Sequence, residues 1–481
     1  MLAIRSDRLR PCWRPIASKN QASPWLLQDH APMRTIPVSE QKRQLVLNIF
    51  LHRFGHHPEA WRHPSSTDDG RPNLQWYIDA AKLAEQAKFH TFFMADFIGR
   101  SGEITAQTGR SAPNYQFEPF TLLSAIAAVT RHIGLVATVN TNFDHPYHVA
   151  RKFASLDHLS GGRAGWNVVS SFGAHTAQNF GIAQEPTHEE RYARAAEFIE
   201  LTKELWDSWD DDAFDHPRRD LGQFYDPRSS HLVQHHGEHF DSAGLLDFPR
   251  PIQGYPVFVQ AGNSETGREF AARVAEMTYC SAQSLDVAQA FYRDVKGRMA
   301  KYGRAEDQLK ITPGLSVVVG ESDQEAQDRF GELQELVDVS NVSFGGFDLS
   351  GYPVDGPLPD LPYQEDANGK GRFRQQLELA RRENLSIRQL VLRFRVSRGH
   401  LQAIGSVKTV ADLIEQWFVE RGADGFNVVP PYLPQGFEDF TRLVVPELQR
   451  RGIFRTEYSP GTYRDNLGLN RPANRRDPRN A

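Results

Sequence analysis

Short unbroken apolar runs alternate along this chain with longer stretches in which apolar residues return every third or fourth position. The runs read as buried strands and the longer stretches as amphipathic helices. Strands are predicted over 45–51, 91–95 and 133–140, and helices over 73–88 and 117–130. Residues 145–171 hold one complete step of the pattern. Val149, Phe153, Leu156 and Leu159 share a helical face, Ser160-Gly161-Gly162 ends the helix, and 163–169 reads as the fourth strand. Glycine suits that exit because it accepts the left-handed backbone a helix terminus uses.

The rhythm continues with a helix over 188–209, a fifth strand at 256–260 and a helix over 264–275. A sixth strand at 278–281 precedes a helix over 284–302, and a seventh at 311–319 precedes one over 323–338. A helical segment over 373–383 and a helix over 409–421 lead to the eighth strand, 425–429, and a last helix over 435–451. Residues 210–255 and 340–372 break the rhythm and read as insertions. Eight strands alternating with helices predict an α/β protein of the (β/α)8 TIM-barrel type with long insertions. A doubly wound sheet would carry Gly-x-Gly-x-x-Gly after its first strand. Here that position reads Leu51-His-Arg-Phe-Gly55-His-His57, which favours the barrel. The barrel is expected over 41–470, with a disordered extension at 1–40 and a tail at 471–481.

Composition narrows the class. A formal charge of -5 over 481 residues argues against a nucleic-acid partner. Two cysteines, Cys12 and Cys280, rule out a disulfide framework and suit a reducing, cytoplasmic setting. No stretch approaches the roughly 18 apolar residues of a membrane span, so no membrane role is expected. The first forty residues carry Arg5, Arg8, Arg10 and Arg14 but no secretory apolar core.

In a barrel of this kind, function is expected where strands end. Those positions hold His52, His56 and His57, then Asp96, then Thr138, Asn140 and Thr141, then Ser170 and Ser171, and finally Gly262, Asn263 and Ser264. No pair of carboxylates suggests a glycosidase. Hydroxyls, amides and one Asp suit a bound cofactor that brings its own reactivity. Residues 260–267, Gln-Ala-Gly-Asn-Ser-Glu-Thr-Gly, open a helix with small residues. That arrangement makes an anion site or an ordinary N-cap. A serine hydrolase elbow would need Gly-x-Ser-x-Gly, and here the second glycine comes one residue late. His188 and Tyr192, four apart at a helix start, share a face, as either a site or a surface first turn. His235-His-Gly-Glu-His239 formally fits a His-x-x-Glu-His zinc pattern, which needs a helix. Gly237 and its neighbours disfavour one, so loop histidines and no metal are expected.

The run Asp157-His-Leu-Ser-Gly-Gly-Arg163 followed by Trp166-Asn-Val-Val169 resembles one family closely, the bacterial-luciferase-like flavin monooxygenases, in the nitrilotriacetate and dibenzothiophene-sulfone monooxygenase group. The likeness extends through 55–64, 197–208, 260–273, 348–359, 423–427, 454–458 and 467–469, including both insertions. It implies a two-component monooxygenase. FMN, reduced by a separate NAD(P)H:flavin reductase, would use O2 through a flavin C4a-hydroperoxide to oxygenate a small organic substrate such as an amine, sulfur compound or xenobiotic. Carried over by motif, the flavin contacts fall on Asp96, Thr138 (with Thr141 close by), His188, Tyr192 and Ser264. Substrate contacts are expected at His52, His57 and Trp61, with His56 as a further proton-handling candidate, and Trp61, Trp166 and Phe172 would wall off the pocket. A homodimer or homotetramer is expected. The alternatives are a deazaflavin-dependent hydride-transfer enzyme, a zinc hydrolase resting on the histidine run, and a non-catalytic flavin-binding protein.

Overall fold

A parallel sheet of nine strands organises the chain, and eight of them close on themselves. The computed structural model describes residues 43–480 apart from 67–69, 100–108, 110–111, 113–114, 172–173, 183, 185, 338, 340–342, 345–346, 350, 362–376 and 398. The expectation for residues 1–40 lies outside the described residues.

The first half of the barrel alternates strictly: β1 (Val46–Phe50), α1 (Leu74–Gln86), β2 (Thr91–Met94), α2 (Pro119–Ala127), β3 (Gly134–Asn140), α3 (Pro146–Ser160) and β4 (Ala164–Val169). After a short helix α4 (Ala174–Asn179) comes α5 (His188–Trp206). The first insertion carries an antiparallel hairpin, β5 (Val233–His236) and β6 (Asp241–Gly244). The barrel resumes with β7 (Val257–Ala261), α6 (Glu265–Val274), β8 (Met277–Cys280), α7 (Leu285–Met299), β9 (Lys310–Gly320) and α8 (Asp323–Glu335). The second insertion holds a two-residue hairpin, β10 (Ser343–Phe344) and β11 (Phe347–Asp348), and a small core of its own around Leu349, Leu377, Ile387 and Leu390. Then come α9 (Ile387–Ser397), β12 (Leu401–Ser406), α10 (Val407–Val419) and β13 (Gly425–Val428). The ring runs β1-β2-β3-β4-β7-β8-β9-β13 and closes where β13 pairs with β1.

The barrel expected from the pattern is present, with one correction. Residues 384–408 were expected to hold no element, yet they form α9 and β12. The long β9 pairs with β8 over Lys310–Pro313 and then outruns it. β12 covers the remaining edge at Leu315–Gly320. An uncovered strand edge exposes a row of unpaired backbone groups, which β12 satisfies. Its Leu401, Ala403 and Gly405 are buried and alternate with half-buried Gln402, Ile404 and Ser406, so it offers no continuous apolar run. The expected helix over 373–383 is seen at 377–382, its start lying outside the described residues.

Strand alternation sorts the core into two layers. Phe92, Leu135, Trp166 and Phe426 face the helices, while Val46, Phe93, Val136, Val259 and Met277 line the lumen. The lumen is stoppered at its lower end by α11 (Tyr463–Leu467). Tyr463 is fully buried there, and its hydroxyl lies 2.5 Å from Thr91 Oγ1. Its ring occupies space left by Gly134 and Gly165, where an added Cβ would come within 2.4 and 3.2 Å of ring atoms. Arg464 beside it donates to Glu276 at 2.8 Å. Residues 471–480 then strap across the start of the first insertion: Arg471 to Asp211 at 2.6 Å, Arg475 to Asp207 at 2.9 Å and Arg479 to Asp212 at 2.9 Å.

Candidate active site

The open end of the barrel collects the polar strand termini. After β1 the chain turns at Gly55, whose φ of +117° and close approach to Pro431 (a Cβ would lie 2.3 Å from its carbonyl oxygen) exclude larger residues. The His56 and His57 amides then donate to the Pro430 and Pro431 carbonyls, both at 2.9 Å. This pins the loop to the segment after β13 and fixes a wall of imidazoles. His56 Nε2 lies 2.9 Å from the Phe50 carbonyl, which only accepts, so that nitrogen carries a proton. His57 Nδ1 accepts from the Glu59 amide at 3.1 Å, leaving the proton of the neutral ring on Nε2. The His52 ring stands 4.3 Å from His56. His400, just before β12, brings a further ring to 6.4 Å from His56 and lies over Gly314, where a Cβ would meet its Nδ1 at 2.1 Å. A solvent-open cleft of about 400 Å³ is bounded by His52, Arg53, His57, Trp61, Tyr115 and Gln116. His52, His57 and Trp61 thus meet at one cleft.

Asp96, half-buried at the end of β2, sits close by: the neighbouring Phe97 ring is 5.5 Å from His52. Burial, followed by repulsion from Glu118 and Asp144, raises the Asp96 carboxyl from 3.8 to about 6. The folded protein therefore holds this proton more tightly than the unfolded chain does. The stability linked to it is complete below the unfolded value and is lost as the pH rises through about 6. Asp96→Asn, which cannot ionise, should be more stable than the parent above about pH 7, by roughly 1–2 kcal/mol after discounting for partial exposure. The gap should shrink as pH falls from about 6 toward 4. Thermal melts across that range check it, and a gap independent of pH would refute the assignment.

Across the mouth three hydroxyls converge. Ser264 caps α6, its oxygen accepting from the Gly267 amide at 3.1 Å. The Tyr192 phenol, on α5, is raised above its ordinary value by burial and lowered in turn by its bonds to the Ser264 and Ser170 hydroxyls. The His188 ring lies 4.8 Å from that of Tyr192, and burial, then repulsion from Arg191, lowers its pKa. The Thr187–Glu190 capping box fixes this helix start. Thr138 sits deeper, facing the lumen from β3. Its hydroxyl donates to the Met94 carbonyl at 2.8 Å and accepts from Asn167 Nδ2 at 2.9 Å. Thr141 turns its hydroxyl toward the Val169 carbonyl at 3.3 Å.

Two expectations about the walls change. Trp166 faces the helix layer and not the pocket, its ring packed among Phe153, Phe198, Trp206 and Phe258 at 5.3–6.5 Å. Phe172 lies outside the described residues. The histidine run occupies the β5–β6 hairpin, where His235 lies between Glu197 at 3.2 Å and Glu204 at 3.5 Å. Sequence reasoning passed over Arg53, Tyr115, Gln116 and His400, which carry no motif. The Gly399-His400 pair before a half-buried strand was the one available signal.

These residues fit a flavin mononucleotide. Asn167 Oδ1 and Gln260 Oε1 are buried acceptors with no hydrogen-bond partner among the described residues, and such atoms need one. The N-terminus of α6 and its hydroxyls offer an anion site. Comparison with known proteins agrees with this chemistry. The luciferase-like monooxygenase model matches residues 54–425. Nitrilotriacetate monooxygenase component A of Aminobacter aminovorans is 46% identical over 446 residues, covering 90% of this chain and 98% of that one. The chain belongs to the luciferase-like monooxygenase family. N-acetyl-S-(2-succino)cysteine monooxygenase of Bacillus subtilis, another relative, is 42% identical over 91% of this chain and 99% of its own length. The crystal structure of DmoA from Hyphomicrobium sulfonivorans superposes with a TM-score of 0.79 at 31% identity, covering 88% of this chain and 92% of that one. The family's barrel therefore carries both insertions here, and no helix among the described residues is long and apolar enough to cross a membrane.

Proposed function

We propose that this flavin-dependent monooxygenase is the oxygenase component of a two-component system that takes FMN reduced by a separate NAD(P)H:flavin reductase. The observation that carries the reading is the convergence, at one end of the barrel, of a hydroxyl-lined helix N-terminus on one side and a histidine-walled cleft on the other. The name of the Aminobacter relative, a "component A", supports the division of labour. So does the likeness to both subunits A and B of pristinamycin IIA synthase from Streptomyces pristinaespiralis, at 43% and 42% identity.

Bound reduced FMN supplies the electrons with which O2 is activated. The chain's own residues bind and shield. Ser264 uses its oxygen for the helix cap, which leaves its O–H to donate to a phosphate beside Tyr192, Ser170 and the α6 amides. Thr138 acts through Asn167: holding the amide nitrogen aims Oδ1 at the ring edge of the flavin. Asp96, protonated below about pH 6, can donate there as well as accept. His52 and His57 handle protons at the cleft, and Trp61, 41% exposed, covers its rim. Excluding water matters because it keeps activated oxygen from decaying unproductively. A cytoplasmic setting suits the buried Cys280, whose thiol burial pushes up to about 12.

The purified chain should be inert with NADH alone, since no dinucleotide fingerprint follows its first strand. Adding a flavin reductase, or chemically reduced FMN, should start turnover with oxygen from labelled O2 entering the product. Robust NADH oxidation by the chain on its own would sink the two-component reading.

A further inference from the structure

One wall of the cleft carries a permanent positive charge. Arg53 is only 7% exposed, and a guanidinium stays protonated at any working pH. Tyr115 holds it through the phenol oxygen at 2.5 Å and Gly70 through its carbonyl at 3.3 Å. The Tyr115 and Phe54 rings stand 4.9 and 5.5 Å from the guanidinium carbon. These contacts lock the plane of a group that otherwise has several rotamers. His52, His57 and Gln116 add further polar groups to the same cleft, and no residue bounding it, among those described, is an acid. Glu59, the nearest carboxylate on this loop, turns to Arg62 at 3.8 Å. A cleft of this size takes a small organic molecule. A rigid guanidinium selects carboxylate over other oxygen groups, because its fork matches two carboxylate oxygens at once.

We propose that the cleft takes a small organic anion bearing one or more carboxylates, with Arg53 receiving a carboxylate and Trp61 lying over the carbon skeleton at the rim. The inference rests on the flavin monooxygenase reading for the chemistry performed on that anion, and adds the class of substrate. Arg53 is a substrate-binding residue in this assignment, and the imidazoles of His52 and His57 flank the bound acid.

Calorimetric titration of the full chain in the presence of FMN tests it, with nitrilotriacetate as the acid probe and its uncharged triamide as the control. The acid should bind and the triamide should bind far more weakly. Arg53→Gln should weaken the acid about ten- to a hundred-fold, the loss expected for one charge-assisted contact. Arg53→Lys, which keeps the charge and loses the fork, should fall between. Neither variant should alter FMN affinity. Equal affinity of acid and triamide for the unmodified protein overturns the proposal, and so does failure of the acid to bind. That comparison needs no variant, so a misfolded Arg53→Gln does not shield it. An Arg53→Gln protein that folds and binds the acid unchanged also overturns it. The two readings fail separately. Loss of FMN binding with the acid preference intact sinks the flavin assignment, and FMN binding without an acid preference sinks the substrate class alone.

Discussion

Tyr463→Ala is expected to destabilise the barrel by about 3–5 kcal/mol, the usual cost of removing a large aromatic ring from a packed interior. The ring fills the lower lumen against Gly134 and Gly165, and neither glycine has a side chain that can move into the space. Collapse around the hole would have to come from the strands themselves, which the closed ring of pairings resists. Tyr463→Phe keeps the ring and removes one hydroxyl, leaving Thr91 Oγ1 buried without that partner. It should cost about 1–3 kcal/mol. Urea denaturation of the two variants separates the contributions. If the alanine variant unfolds at the same midpoint as the parent, Tyr463 is not a stopper and the lumen is stable without it.

The second large effect concerns the cofactor. Ser264→Ala and Tyr192→Phe should each weaken FMN about ten- to a hundred-fold and leave the barrel folded. Both hydroxyls sit at the N-terminus of α6, where several donors face one point. Riboflavin lacks the phosphate and should bind both variants as it binds the parent. Equal losses for FMN and riboflavin would move these residues to the ring or to the fold, and no loss for either would remove them from the site. The Ser264 change also removes a helix cap worth about 1 kcal/mol. A melting curve should therefore accompany the titration, and Tyr192→Phe, which caps nothing, provides the cleaner reading.

The strands and helices of the ring were legible because each is buried on a fixed face, and burial writes a period into the sequence. Strand β12 was not, because it serves as an edge cover on β9 and only every second residue is buried. Trp166 shows a different limit. A strand buried on both faces gives no sign of which side looks into the lumen, so its ring was assigned to the pocket when it belongs to the helix layer. The hydroxyl cluster could be anticipated from Ser264 at a small-residue helix start and from the His188–Tyr192 spacing. The cleft was half legible. His52, His57 and Trp61 follow the first strand directly, whereas Tyr115 and His400 reach it from segments remote in sequence, and Arg53 became conspicuous only when its burial was seen. The partnership of Tyr463 with two glycines spans most of the chain and has no local signature at all.

That partnership also sets an order of events during synthesis. Thr91 and Tyr463 are 372 residues apart, so at about 5–20 residues per second the lumen waits roughly twenty seconds to over a minute for its stopper. The strand that closes the ring, β13, emerges late in the same interval. Until then the inward amides of Asn48 and Asn167 and the apolar faces of Val136 and Val259 look onto water through an open-bottomed half-barrel. Such a nascent chain exposes both strand edges and apolar surface. Its yield in the cell should therefore depend on chaperone capacity more steeply than its equilibrium stability alone would suggest.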